Sequence, residues 1–93
     1  MNMSTLAKIR RETDLVRLVR RTVKLKRAGD KWKGLCPFHR EKIPSFMVSP
    51  KHRVFHCFGC GVGGDVFAFL MRQQSLSFPE AVQKLAKRAK IAL

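Results

Sequence analysis

Apolar positions recur with a helical period at both ends of the chain and with a strand period in the middle. Leu6 and Ile9 share one face, and Leu15, Leu18 and Val19 share another at i, i+3, i+4 spacing. This predicts helix over residues 4–21, in two pieces, with Thr13 or Asp14 able to cap the second. The period then switches. Val23 and Leu25 alternate with Lys24 and Lys26, as on a half-buried strand. Ala28-Gly29-Asp30 reads as a turn, and Lys31 to Leu35 returns as a second strand. Residues 40–44 form a polar loop. Ser45 to Ser49 and Arg53 to Cys57 read as a third and a fourth strand, turned by Pro50-Lys51-His52. Asp65 is placed to cap a helix from Val66 to about Gln74. Ser77-Phe78-Pro79-Glu80 is a capping box with proline in the first turn, opening a last helix with Val82, Leu85, Ala86 and Ala89 on one face.

The architecture that follows is α+β: a small antiparallel sheet of about four to five strands with flanking helices at both ends. The 93 residues make one domain, read as a helical arm (1–21), a sheet region (22–60) and C-terminal helices (65–93). A chain this short buries a modest core and commonly needs a staple.

The staple is visible as Cys36-Pro-Phe-His39 and Cys57-Phe-Gly-Cys60. Two intervening residues let both side chains of one tight turn reach a single ion, and two such turns supply the four ligands of a closed tetrahedral site. Gly59 and Gly61 allow the second turn, and Pro37 stiffens the first. Cys36, His39, Cys57 and Cys60 are therefore the expected ligands of one structural zinc ion. A redox pair of Cys57 and Cys60 would leave Cys36 and His39 unexplained, and an iron–sulfur cluster usually takes four thiolates. His56 neighbours Cys57 on a strand and so faces the other way, and His52 lies in an exposed turn. All three cysteines are used as ligands, with no disulfide, and residues 1–11 hold no secretory apolar run, so a reducing, cytoplasmic setting is expected.

Charge adds a partner. Twenty Lys and Arg against six Asp and Glu give a net +14, about +13 with three thiolates and a bound Zn²⁺. Such an excess favours polyanions, nucleic acid first and an anionic membrane surface well behind it. Basic and aromatic residues interleave near the sheet, which suits single-stranded nucleic acid. The candidates for nucleic-acid contact are Lys31, Lys33, Arg40, Lys42, Lys51 and Arg53, with Phe55 as a stacking platform. Phe38, Phe46, Phe58, Phe67 and Phe69 are assigned to the core, a role also open to Phe55 and Trp32. Arg10, Arg11, Arg17, Arg20 and Arg21 read as a solvated helix face that draws DNA closer. Catalysis by this chain is not expected. Glu12, Asp14, Asp30, Glu41, Asp65 and Glu80 are scattered and cannot hold a Mg²⁺ pair, and the Gly59–Gly64 stretch lacks the Lys-Ser/Thr ending of a phosphate loop.

Three runs of residues resemble a known family. Cys36-Pro-Phe-His-Arg-Glu-Lys-Ile-Pro-Ser-Phe46, Val48-Ser-Pro50 and Phe55-His-Cys-Phe-Gly-Cys-Gly-Val-Gly-Gly-Asp65 are similar to the zinc-binding domain of bacterial DNA primase. Asp14-Leu-Val, Val23-Lys-Leu-Lys26, Gly29, Lys33-Gly-Leu35, Phe69-Leu-Met71 and Phe78-Pro-Glu-Ala-Val82 extend the resemblance from about Leu6 to Leu93. It implies a zinc ribbon that reads single-stranded template and helps choose where RNA primers start. It also implies a primase RNA polymerase domain as partner, in cis or in trans, and a replicative helicase met only through a further domain. Ile43 stands where the family usually carries threonine, and Arg17, Arg20, Lys51 and His52 are more basic than in a typical member. A second reading keeps the ribbon but makes it a free-standing protein-interaction module.

Overall fold

The computed structural model describes residues 2–93. The chain runs α1 (Met3–Glu12), α2 (Leu15–Arg20), β1 (Lys26–Ala28), β2 (Lys31–Gly34), β3 (Phe46–Ser49), β4 (Val54–Cys57), β5 (Gly63–Gly64), α3 (Val66–Gln74) and α4 (Phe78–Ala89). The strands form one antiparallel sheet in the order β1-β2-β3-β4-β5.

The helix signals act where the sequence places them. Asp14 Oδ1 accepts the Arg17 N–H at 3.1 Å and so caps α2, rather than Thr13. Ser77 and Glu80 close a reciprocal capping box on α4. Asp65 does two jobs. Its Oδ1 accepts the Ala68 N–H at 3.0 Å to start α3, and its Oδ2 accepts Arg10 Nε at 3.0 Å. The guanidinium of Arg10 also lies over the Phe67 ring, so one residue ties α1 to α3.

Two expectations about strands are corrected. Val23 and Leu25 are buried, yet the first strand starts only at Lys26. The Val23 N–H instead bonds the Val19 carbonyl at 2.9 Å, so the chain is still leaving α2 and has no strand partner there. The fifth strand, Gly63–Gly64, pairs with Phe55 and His56 and lies beyond the 22–60 stretch read as sheet. With no side chains, it shows no alternation to detect.

Register decides which residues reach the core. The row Trp32–Val48–Phe55 and the row Gly34–Phe46–Cys57 point inward. The next row, Lys33–Met47–His56, points outward. Inside, Phe46, Phe55 and Phe69 pack with Phe38, their ring centroids 5.5 to 6.4 Å apart. Such pairs contribute about 0.5–1.5 kcal/mol each beyond area burial. The helices cover this face: α2 lies on β3, α3 on β5 and α4, and α1 on α4.

Gly34 sits where β2 passes close to the segment leaving α2. A Cβ there would lie 2.5 Å from the Lys24 carbonyl oxygen and 3.0 Å from Leu25 Cδ2. Backbone cannot swing aside like a side-chain end, so Gly34→Ala is expected to destabilise the fold by about 1–3 kcal/mol. Thermal melting of the zinc-loaded variant checks this; an unchanged melting temperature would mean that the approach relaxes freely.

Candidate metal centre and nucleic-acid face

The four candidate ligands converge. The sulfurs of Cys36, Cys57 and Cys60 and a ring nitrogen of His39 all lie within 4.8 Å of one another. Two knuckles bring them there. Cys36 leaves β2 and His39 follows one turn later, while Cys57 ends β4 and Cys60 follows one turn later. The Phe38 N–H points at Cys36 Sγ (3.4 Å), as a knuckle requires. The second turn closes through the Gly61 N–H on the Cys57 carbonyl at 2.8 Å, with Gly61 at φ 82°. That left-handed conformation suits glycine.

Electrostatics describe a site built for a cation. Burial pushes the Cys36 thiol up to about 11; the Phe38 N–H opposes this, but the crowding sulfurs of Cys57 and Cys60 add to it. Cys60 is held below the usual thiol value, chiefly by the Val62 amide. Three sulfurs this close are poorly placed as thiolates until a divalent ion supplies the opposing charge.

The histidine shows the same fit. His39 Nδ1 is buried and has no hydrogen-bond partner among the described residues, while Nε2 sits 3.2 Å from Glu41 Oε1. Nδ1 is thus left free for a metal, with a carboxylate behind the ring, the arrangement that orients metal-bound imidazoles. Glu41 does more. Its Oε2 accepts the Cys36 N–H at 2.8 Å and the Ser45 N–H at 3.1 Å. Partial burial pushes this carboxyl up, but those two amides and the adjacent His39 more than offset it, leaving it below the ordinary carboxylate value. The site fits one structural zinc ion with no position left open for water.

Sequence reading placed Glu41 in a polar loop and assigned it no role. Its partners are set by how the loop between β2 and β3 folds back, which spacing does not encode. His56 faces away from the site, as alternation predicted, and His52 lies in the exposed turn.

The nucleic-acid candidates divide. Lys31 and Lys33 are exposed on the outer face of β2. Arg40 is exposed beside the metal site, and Lys42 follows Glu41 in the same loop. Lys51 and Arg53 occupy the β3–β4 turn, Arg53 in the left-handed region at φ 55°. Phe55 is a correction. It is 2% exposed inside the aromatic cluster and offers no face to a base. Phe58 is the opposite correction: expected in the core, it is 73% exposed and packs edge-on against His56, ring centroids 4.5 Å apart. The alternation that turns His56 outward passes through inward Cys57 and turns Phe58 outward as well. Lys31, Met47, Ser49, His52, Val54, His56 and Phe58, with a small contribution from the otherwise buried Phe55, line a shallow hollow of about 220 Å³ on the outer face.

The chain matches the family described as CHC2 zinc finger over residues 1–93. It is 51% identical over 89 residues to the DNA primase of Geobacillus stearothermophilus, covering 96% of this chain and 15% of that protein. It is 63% identical over 67 residues to the DNA primase of Mycobacterium bovis, covering 71% of this chain and 10% of that one. The crystal structure of the Aquifex aeolicus primase, with its zinc-binding and RNA polymerase domains, superposes with a TM-score of 0.90 at 40% identity. That match covers 96% of this chain and 22% of the Aquifex chain. The chain thus spans a small fraction of the curated relatives it matches. A family match over every residue, backed by the metal-site geometry, means that this chain belongs to the CHC2 zinc-finger family, the zinc-binding domain of bacterial DNA primases.

Proposed function

We propose that this chain is the template-binding module of a bacterial-type primase: its zinc-fixed sheet holds single-stranded DNA and helps select where RNA primers begin. The observation that carries this is the outer face of the sheet. There an exposed aromatic, Phe58, stands with His56 and Met47 beside Lys31, on the surface opposite the packed core. A π-face next to backbone-neutralising charge is what single strands bind to without duplex geometry. Lys33, Arg40, Lys42, Lys51 and Arg53 would neutralise phosphates at the margins of this face. Zinc acts at a distance, by holding β2 and β4 in register under it. The module would work with a primase RNA polymerase domain, in cis or in trans. The helicase would be met only through a different domain, and the setting would be the bacterial cytoplasm at the replication fork. No helix among the described residues is long and apolar enough to cross a membrane.

One observation favours the second reading, a protein-interaction module. Leu35 and Ile43, 48% and 74% exposed, put apolar surface on the segments flanking the zinc loop.

Fluorescence anisotropy with a panel of short single-stranded DNAs separates the two. Phe58→Ala is expected to lose about 1–3 kcal/mol of binding, the usual contribution of one stacked base. Lys33→Ala and Arg53→Ala are each expected to flatten the salt dependence by about 0.7 in log–log slope. Binding equal for all sequences and indifferent to all three substitutions would overturn the template reading.

A further inference from the structure

On the inner side of the β1–β2 edge, away from Lys31 and Lys33, lies an open cleft of about 720 Å³. Arg17, Arg20 and Arg21 enter it from the α2 side and Arg27 from β1, around the half-buried indole of Trp32. Pro50, from the β3–β4 turn, also lines it. The guanidinium of Arg20 lies 4.9 Å from the Trp32 ring centre and that of Arg27 lies 5.5 Å from it. Arg27 Nε also donates to the Gly29 carbonyl at 3.1 Å.

Among the described residues, none of these four arginines has a carboxylate partner. The only acid in the cleft, Asp14, has an oxygen engaged in capping α2. Four like charges gathered without a counter-charge repel one another, and the fold tolerates this at some loss of stability. A guanidinium held over an indole keeps N–H groups free to donate, and its planar fork matches phosphate oxygens in pairs. Arg20 and Arg27 are therefore partly ordered before any ligand arrives.

The geometry points to a second nucleic-acid contact: the cleft between α2 and the β1–β2 hairpin holds the phosphodiester backbone of single-stranded DNA that passes round the β1 edge from the sheet's outer face. β1 is an edge strand, so only about 5 Å of sheet separates β2 from that edge. The inference rests on the template-binding reading for the identity of the strand. An acidic peptide is the rival ligand, and it has less support, because the cleft lies one edge strand away from the outer face that the template-binding reading assigns to the strand.

The test compares the zinc-loaded chain with two double variants, Arg20→Gln/Arg27→Gln and Lys31→Gln/Lys33→Gln, on single-stranded DNA of about 16 nucleotides, long enough to span both faces. Zinc content and melting temperature equal to the parent's show that each variant is folded. The arginine variant is expected to bind more weakly and to lose about 1.4 from the log–log salt slope, two phosphate contacts at roughly 0.7 each. The lysine variant is expected to lose a similar amount, and the two losses to add. Trp32, the single tryptophan, reports directly, because its emission should change when DNA fills the cleft. If the lysine variant weakens while the arginine variant and Trp32 emission match the parent, the cleft assignment is overturned and the outer-face reading stands. If only the arginine variant weakens, the cleft binds the strand and the outer-face reading falls. If neither weakens, both fall. Displacement of DNA from the parent by poly-glutamate at equal charge, lost in the arginine variant, would overturn the assignment in favour of an acidic protein.

Discussion

Stripping zinc is expected to unfold the chain. The two knuckles converge on one set of ligands, and they terminate β2 and β4, the strands flanking the central β3. Among the described residues no strand exceeds four residues, and the aromatic cluster of Phe46, Phe55 and Phe69 takes its fourth ring, Phe38, from the first knuckle itself. Structural zinc in comparable small sites contributes about 10–16 kcal/mol, as much as the whole stability of an ordinary domain, about 5–15 kcal/mol. A strong chelator should therefore collapse the far-ultraviolet circular dichroism spectrum, and Cys57→Ser should do the same without chelator. A spectrum unchanged by either would show that packing alone carries the fold. The metal needs the thiolates, so protons compete with it: apparent zinc affinity, and with it stability, should fall as pH falls, and burial of Cys36, which strengthens its hold on a proton, sharpens that competition.

Loss of the Glu41 carboxylate is expected to be the next most damaging change. This side chain pins the backbone of Cys36 and of Ser45 and lies against the ring of His39, so it fixes two ligands and the return of the loop together. Partners of this kind typically carry a factor of about 10–100 in metal affinity. Glu41→Ala should show that loss in competition with a chromogenic chelator. Glu41→Gln should be milder, since a carboxamide oxygen can still accept an amide N–H but carries no charge toward His39. A Glu41→Ala chain that holds zinc as tightly as the parent would mean that the knuckles alone set the affinity.

The metal centre was legible because its information is local. Two residues between ligands, glycines at the second turn and the strand parity of Cys57 against His56 all act within a few positions. The helix caps at Asp14, Asp65 and Ser77 were legible for the same reason. What escaped depends on contacts distant in sequence. Glu41 gains its role only because the loop carrying it folds back on Cys36 and Ser45. Arg17, Arg20 and Arg21 read as a solvated face, and Arg27 carries no reading, until α2 is laid beside Trp32. Interleaving of basic and aromatic residues offers Phe55 as a stacking platform beside its possible core role and leaves Phe58 in the core, whereas strand parity counted from outward His56 turns Phe55 in and Phe58 out. Val23 and Leu25 alternate and are buried, yet the β1–β2 ladder begins only at Lys26 although β2 passes close by at Gly34, so burial alone does not make them sheet.

The most direct test of the account is a nuclear magnetic resonance titration of the isotope-labelled, zinc-loaded chain with single-stranded DNA. Amide shifts are predicted to move on the outer face, at Lys31, Lys33, Met47, His56 and Phe58, and to remain still on α4. Shifts confined to Leu35 and Ile43, or spread evenly over every exposed basic residue, would contradict a sheet face built to hold template.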